Sequence, residues 1–522
     1  MKTLRDLNGR VIEEEDRAEA LEKAHFLWQD REKEEEEEDR REDAPGLGKE
    51  ELKDKVLDAL SGTSNTSAPG PDGITYKIIK RATKSVLGEY LIDDVVDNLM
   101  EGKIPKEWQN SKVMFIPKPN RDLALLKAWR PITLINCIGK LGEKVVADEL
   151  QQAGLLHRHQ FGSVKGRSAI DAVFREVTRV QRCLSAGGKA GWGLWDVNGG
   201  FQNVKKDMVL RKLQETQDGK RWSGWISKFF RQRDFTIEWD GKIRGNGKTN
   251  VGVPQGSPLS PVVFLIYMAP ILEDMEQQVS IATGLDIEVP SYVDDIMACV
   301  LDKDGMENMK EVLKEVDKVV GAVAVKWDLP LEREKHEEIV FNQVGVGSGK
   351  RKRRSEVEKV KWLVIIVDDT LDFDHHWKSR LAKARQLLGS LSSMGSSQWG
   401  ISPSSWRQLY TGMIRVVALW GAELVWKGQK AWLKEFERLQ YQALRKCTGA
   451  TLGASREKVN DIARVEEVKT ILDATQVRYL ARCATDPTTT SDLWDAPPHL
   501  KKPTVADRLL GQAGVKSKEE ME

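Results

Sequence analysis

Two adjacent aspartates set between apolar residues are the most chemically pointed feature of this sequence. They are Asp294 and Asp295, in the segment SYVDDIMACV from Ser291 to Val300. Neighbouring side chains of a regular strand point to opposite faces, so these two carboxylates converge only at a hairpin tip. Held together and partly buried, they repel each other and resist ionisation unless a cation compensates. Such a tip is a platform for a divalent metal; the plainer reading is a turn with two solvated acids. A lone acid, Asp196, ends the apolar run of GLWDVNGGFQNV, Gly193 to Val204. An acid there is costly without a partner, and the following glycine pair lets backbone or ligand come close. It reads equally as a ligand and as a capping residue. The third feature is VGVPQGSPLSPVVFLIYMAPIL, Val251 to Leu272. Ser257 suits a helix cap and Pro258 the first helical position. The segment is either a buried helix with a good cap or a helix N-terminus offered to a nucleotide or strand backbone.

The elements that must position these residues follow from periodicity. Strand-length apolar runs, Val113–Ile116 and Gly193–Val197, alternate with helical patterns. One helix is predicted through Met306, Met309, Val312, Leu313, Val316, Val319 and Val320. Strands mixed with helices in this way predict an α+β core. After Phe373 the chain reads as mostly helical. Trp377, Leu381, Ala384, Leu388 and Leu391 form a stripe beside Lys378, Arg380, Lys383 and Arg385. That stripe is either a helix core with solvated cations or a basic helix along a nucleic-acid backbone. Residues 1–60 are polar, with an acidic run from Arg31 to Asp43, and read as a charged arm or linker. No internal repeat is visible.

Composition excludes several classes. Hydrophobic residues make up 40% and charged residues 31%, a globular balance. Lys plus Arg total 81 and Asp plus Glu 80, so net charge alone indicates no polyanionic partner. Base is local instead, in Lys350–Arg354 and after His375. The five cysteines, Cys137, Cys183, Cys299, Cys447 and Cys483, are scattered without zinc-knuckle spacing and suit buried thiols in a reducing compartment. There is no apolar run of roughly 18 residues, so no membrane partner is expected. The N-terminus lacks the apolar core of a signal peptide. The expected location is the nucleus, the cytoplasm or both.

Order and spacing join the three features. Asp196, then the Gln255–Gly256 loop, then Tyr292-Val293-Asp294-Asp295 resembles the palm motif series of reverse transcriptases, most like those of non-LTR (LINE-type) retrotransposons. Upstream, SAPGPDGITYKIIK (Ser67–Lys80), WQNSKVMFIPKPN (Trp108–Asn120), WRPITLINCIGKLGEKVVADEL (Trp129–Leu150) and HQFGSVKGRSAIDAV (His159–Val173) resemble the fingers blocks of that family. Downstream, LEREKHEEIVF (Leu331–Phe341) resembles its lysine motif, and VKWLVIIVDDTLDFDHHWKSRL (Val360–Leu381) its primer-grip hairpin and thumb start. The resemblance runs from about Ser67 to about Cys483.

The resemblance implies a right-hand polymerase: fingers over residues 61–190, palm with primer grip over 191–375, and a helical thumb and C-terminal region over 376–522. It implies two Mg²⁺ ions, with Mn²⁺ as a possible substitute, held by Asp196 and Asp294, with Asp295 as a weaker third acid and Val197 in the metal-binding set. Lys118 and Arg130 match positions that hold an incoming triphosphate. Gln255 and Gly256 match positions that contact template and nucleotide. Phe201 matches the aromatic that blocks a ribose 2′-hydroxyl, and Lys335 a proton donor to pyrophosphate. The implied partners are an RNA template, a DNA primer and dNTPs. An alternative on the same fold is an inactive element remnant or a maturase-like RNA-binding protein.

Three departures stand out. Gly200-Phe201-Gln202 replaces the family's Ala-Phe-Asp, which predicts a disturbed loop rather than lost chemistry. Val364 stands where glycine is common in the primer grip, and a β-branched residue at positive φ would be strained. No endonuclease precedes the resemblance and no RNase H constellation follows it in DPTTTSDLWDAPPHLKKP, so self-contained target cleavage is not expected.

Overall fold

A computed structural model describes residues 4–5, 10–13, 16–26, 46–119, 121–239, 241–341, 357–392 and 400–483. The acidic run Arg31–Asp43, the basic run Lys350–Arg354, Asn120 and the text after Cys483 lie outside the described residues. The chain divides into two compact units. One comprises 1–165, 197–277 and 321–332; the other comprises 166–196, 278–320 and 333–522. Helices and sheets are mixed in both, as the periodicity predicts.

The first unit carries a four-stranded sheet in the order Trp129–Ile135, Ser111–Pro117, Arg233–Trp239, Lys242–Thr249. Alternate residues of Ser111–Pro117 are buried, so Val113 and Phe115 face the core. What covers them corrects the reading of residues 1–60 as a charged arm. Leu4, Ala18 and Leu21 pack with Val113, Phe115, Phe235 and Ile237 in one cluster, and Leu4 and Leu21 are fully buried. The helix Arg17–His25 hides that apolar face among charges, too short a signal to stand out in composition. A second helix, Lys49–Ser61, buries Leu52, Val56 and Leu60.

The second unit is built on a sheet in the order Asp286–Glu288, Asp295–Asp302, Lys189–Asp196, Glu337–Phe341, with Ser291–Tyr292 paired to the start of Asp295–Asp302. Trp192 is fully buried there, with the rings of Phe341 and Trp362 against it. The helix Ala169–Ser185 opens on a capping box between Ser168 and Asp171. Arg482, near the end of helix Val468–Cys483, holds both oxygens of Asp171 at 2.7 and 2.6 Å.

The helix predicted from Met306 begins instead at Met309 and runs to Trp327. Asp302 accepts from the backbone N–H groups of Gly305 and Glu307, and this turn occupies the residues before it. Met306 is left 82% exposed. The region after Phe373 is helical as expected, from Asp374–Ser392 onward. Its cationic stripe needs correcting. Arg380 is buried and donates to the Val364 carbonyl at 2.8 Å, so it braces the fold rather than facing a ligand. Lys378 and Arg385 pair with Asp374 and Glu435. All five cysteines are buried and free. Among the described residues no helix is long and apolar enough to cross a membrane.

Candidate active site

In the second unit the acid pair does sit at a hairpin tip. Tyr292 pairs with Asp295, which leaves Val293 and Asp294 as a two-residue turn. Val293 has φ 58°, a conformation that a β-branched residue adopts only under strain. The Lys189–Asp196 strand runs antiparallel to Asp295–Asp302 in a register that places Asp196 directly opposite Asp295. Directly opposed residues share a face, with Cβ atoms roughly 4.5–5.5 Å apart. The acid expected to be the weakest of the three therefore sits closest in register to Asp196, while Asp294 is exposed at the tip.

The electrostatics follow from that convergence. The Asp295 carboxyl is pushed up to about 6, by burial first and then by the like charges of Asp294 and Asp196; Lys335 and Lys361 pull the other way. Lys335 is ion-paired to the Asp196 carboxylate. It lies in the short 3₁₀ turn Arg333–Lys335, just before the strand Glu337–Phe341, which pairs with Lys189–Asp196. Lys335 thus supplies positive charge to Asp196 and, with Lys361, offsets part of the repulsion at Asp295.

Sequence reasoning missed what fixes this arrangement. The Trp195 indole donates to Asp317 at 2.9 Å, and its ring stacks on His336 at 5.0 Å. His336 Nδ1 lies 3.0 Å from the Leu194 carbonyl oxygen. Arg333 reaches Asp317 at 3.4 Å. These contacts flank Lys335 on both sides along the chain. Asp317 carries no motif of its own, and a signal that could point to it is the tryptophan set next to Asp196, whose indole needs a partner when buried.

In the first unit the remaining candidates share one frame. Arg130 lies on the strand Trp129–Ile135 opposite Ile116, and the Lys118 backbone N–H donates to Ala128 at 2.8 Å, just past the neighbouring strand end. Arg130 is exposed and Lys118 half-buried. Further along the same strand, the Thr133 N–H donates to the Gln255 carbonyl at 2.7 Å. Gly256 has φ 138°, and a Cβ there would lie 2.1 Å from the Thr133 oxygen, so only glycine fits. The Val253 N–H donates to the Phe201 carbonyl at 2.8 Å, which ties the Phe201 loop to the Gln255 loop. Val197 bridges to Leu331.

The altered loop is not disturbed in the way expected. A Cβ at Gly200 would meet the Phe264 ring at 2.9 Å, so the glycine admits that ring rather than adding slack. Phe264 in turn stacks on half-buried Phe201, with ring centres 5.3 Å apart. Gln202 donates to the His25 carbonyl at 2.6 Å, a bond that an ionised aspartate cannot make. Ser257 caps as predicted, accepting from the Leu259 and Ser260 N–H groups, although the helix proper starts at Ser260 and Pro258 lies just ahead of it.

Beneath that loop lies a buried pair that no spacing rule reveals, Glu143 and Arg233. The Glu143 carboxyl is pushed up to about 7 by burial, against the opposing pull of a Ser257 hydrogen bond and the charges of Lys140 and Arg233. Arg233 is pushed down to about 10 by burial and donates to the Gly252 carbonyl at 2.8 Å.

Residues 116–367, which include both groups of candidates, match the family model described as reverse transcriptase (RNA-dependent DNA polymerase). This segment is a reverse transcriptase domain. The chain around the domain is 23% identical over 412 residues to the RNA-directed DNA polymerase from mobile element jockey of Drosophila funebris, which covers 76% of this chain and 44% of that protein. It is 21% identical over 406 residues to a probable RNA-directed DNA polymerase from transposon BS of Drosophila melanogaster, with the same coverage. Over 252 residues it is 26% identical to a retrovirus-related Pol polyprotein from type-1 retrotransposable element R2 of Popillia japonica, covering 44% of this chain and 32% of that one. The chain thus spans less than half the length of these curated relatives. Among solved structures, telomerase from Candida albicans in complex with a TWJ fragment of telomeric RNA aligns with a TM-score of 0.41 at 11% identity, over 75% of this chain and 64% of that chain.

Proposed function

We propose that this chain is the RNA-directed DNA polymerase of a non-LTR retrotransposon, extending a primer 3′-hydroxyl with dNTPs on an RNA template. The observation that carries the proposal is the convergence of Asp196, Asp294 and Asp295 at a strained hairpin tip inside a reverse transcriptase domain. In this reading residues 61–190 serve as fingers, 191–375 as palm and 376–522 as thumb and C-terminal region.

The carboxylates suit hard divalent cations. Burial first, and then the like charges of Asp294 and Asp196, push Asp295 up to about 6; a cation relieves both, and oxygen ligands are what Mg²⁺ prefers. Asp196, Asp294 and Asp295 would hold the metal, with the main-chain carbonyl of Val197, whose side chain has no donor. Mg²⁺, or Mn²⁺ in its place, supplies charge neutralisation at the attacking and leaving oxygens. The chain's own residues do the rest. Lys118 and Arg130 neutralise and orient the triphosphate. Gln255 and Gly256 set template and nucleotide against a rigid loop. Phe201, backed by Phe264, presents apolar carbon to C2′ of the sugar. Lys335 releases its hold on Asp196 and gives a proton to the departing pyrophosphate.

The test is primer extension by the whole chain on poly(A)–oligo(dT) with Mg²⁺ and dTTP, run beside retention of a structured RNA. Template-dependent extension supports the polymerase. RNA retention by folded protein without extension supports the maturase-like alternative and overturns this reading.

A further inference from the structure

A second cluster of metal-ligating side chains lies in the first unit, apart from the carboxylate tip and unused by the polymerase chemistry. His157, His159 and Glu276 bring ligand atoms within 4.8 Å of one another. The two histidines are 5% and 3% exposed. Their spacing sends both rings to one side of the chain, while Arg158 between them points outward, its side chain 68% exposed. The rings stand nearly perpendicular, at 87° and 5.4 Å between centres, so their nitrogens can aim at a common point.

We propose that His157, His159 and Glu276 bind a divalent transition-metal ion, zinc above all. The distances and the donor set fit this class. His157 Nε2 lies 3.3 Å from one Glu276 oxygen and His159 Nδ1 lies 3.0 Å from the other. A tetrahedral zinc with bonds of roughly 2.0–2.1 Å puts its donor atoms roughly 3.3 Å apart. Two imidazoles with one carboxylate suit zinc, whereas Mg²⁺ seeks an all-oxygen shell. Three protein ligands leave a fourth position for water on the side where Glu276 is 15% exposed.

The frame around the cluster is already built. Gln160, fully buried, accepts from the His157 N–H at 2.9 Å and donates to the Leu265 carbonyl at 2.9 Å. That bond docks the histidine turn on the helix Ser260–Thr283. Leu265 and Glu276 are eleven residues apart, about three helical turns, and so lie on one face. The Arg158 guanidinium lies 3.6 Å from the same Glu276 oxygen that His157 faces, and competes for it from the exposed side. A metal here clips the turn to the helix that follows the Gln255–Gly256 loop.

The test uses untagged full-length chain, equilibrated with limiting zinc in millimolar Mg²⁺ and freed of loose metal, with zinc per chain read by mass spectrometry. Wild type and Asp294→Asn should each keep about one zinc, because the carboxylate tip is not involved. The double variant His157→Asn with His159→Asn should keep none. Its amides still donate to Glu276, so it should fold, and far-ultraviolet circular dichroism checks that it does. Zinc should raise the thermal midpoint of the wild type by several degrees, on the order of 5 °C, and leave the double variant unmoved. Folded wild type without zinc would show that the cluster is only an imidazole–carboxylate hydrogen-bond bridge. Equal zinc in the folded double variant would place the metal elsewhere. Either result overturns the proposal.

Discussion

Asp295 and Glu143 are both carboxyls whose affinity for a proton is raised, one to about 6 and the other to about 7, and both owe it first to burial. Their neighbours separate them. Around Asp295 the next influences are Asp294 and Asp196, like charges that push further in the same direction. Around Glu143 they are the Ser257 hydroxyl, Lys140 and Arg233, all of which pull back. Repulsion left uncancelled is expensive and persists where something outside the protein cancels it. A buried acid flanked by a hydroxyl and two cations of its own chain is scaffold, even though the Glu143 Oε2 has no hydrogen-bond partner among the described residues. The contrast separates two groups that look alike by burial alone.

The largest expected effect tests the repelling side. Asp196→Asn removes both a candidate metal ligand and the partner of Lys335, and should lower primer extension by at least about a thousandfold while the fold survives. Single-turnover extension and circular dichroism measure the two. A loss of less than roughly tenfold would dissolve the contrast.

The scaffold side is tested by Glu143→Gln and pH. In the folded chain Glu143 stays protonated up to about 7, while in the unfolded chain it ionises near its ordinary value. Unfolding therefore releases a proton between those values. Stability from this group is complete below the unfolded value and falls as pH rises toward 7, by at most about 1.4 kcal/mol per pH unit. Glu143→Gln should flatten that fall in urea melts taken from pH 5 to 7.5. An unchanged slope would mean that Glu143 is not the buried titrating group.

Phe201→Val comes next. The phenylalanine should discriminate against ribonucleotides by on the order of tenfold to a hundredfold through desolvation of an unpartnered hydroxyl, before sterics are counted. The valine variant should lose that ratio in single-nucleotide kinetics. Because Phe201 also stacks on Phe264, equal loss for both sugars with a lower melting temperature would make it a core ring instead.

The smallest effects concern two hairpins. Leu363 and Val364 take φ of 48° and 72° in the turn between Lys359–Trp362 and Ile365–Asp368, where Asn-Gly would be at ease. Val364→Gly and Val293→Gly should each relieve up to about 1 kcal/mol of net strain. Val293→Gly should also slow extension roughly tenfold by loosening the acids. Equal extension by Val293→Gly and wild type would show that strain at the tip serves no chemistry.

The carboxylate tip was legible through the order and spacing of Asp196, the Gln255–Gly256 loop and Asp294–Asp295, since the acid pair alone reads as well as a turn with two solvated acids. The φ strain at Val364 and the Ser257 cap were legible because local backbone rules apply whatever the surroundings. Long-range partners were not legible. Glu143 and Arg233 lie ninety residues apart, and nothing in either segment announces the other. Gly200 reads as slack until Phe264 is seen filling the space, and Gln202 as damage until His25 accepts its bond. Ala18 and Leu21 were lost among charges because a helix of nine residues gives too few turns for its apolar stripe to register, and Leu4 stands alone ahead of that helix. Arg380 read as a cation facing solvent or a nucleic-acid backbone because its helix is basic, yet it is buried and turns inward to the Val364 carbonyl.

The central claim is that the hairpin tip performs metal-dependent phosphoryl transfer on an RNA template. Single-turnover extension of oligo(dT) on poly(A) by wild type and Asp294→Asn, with Mg²⁺ varied, tests it most directly. The account predicts extension by wild type that saturates with Mg²⁺, and loss of at least about a thousandfold in a variant that folds and still binds the hybrid. Near-normal extension by folded Asp294→Asn protein would contradict it.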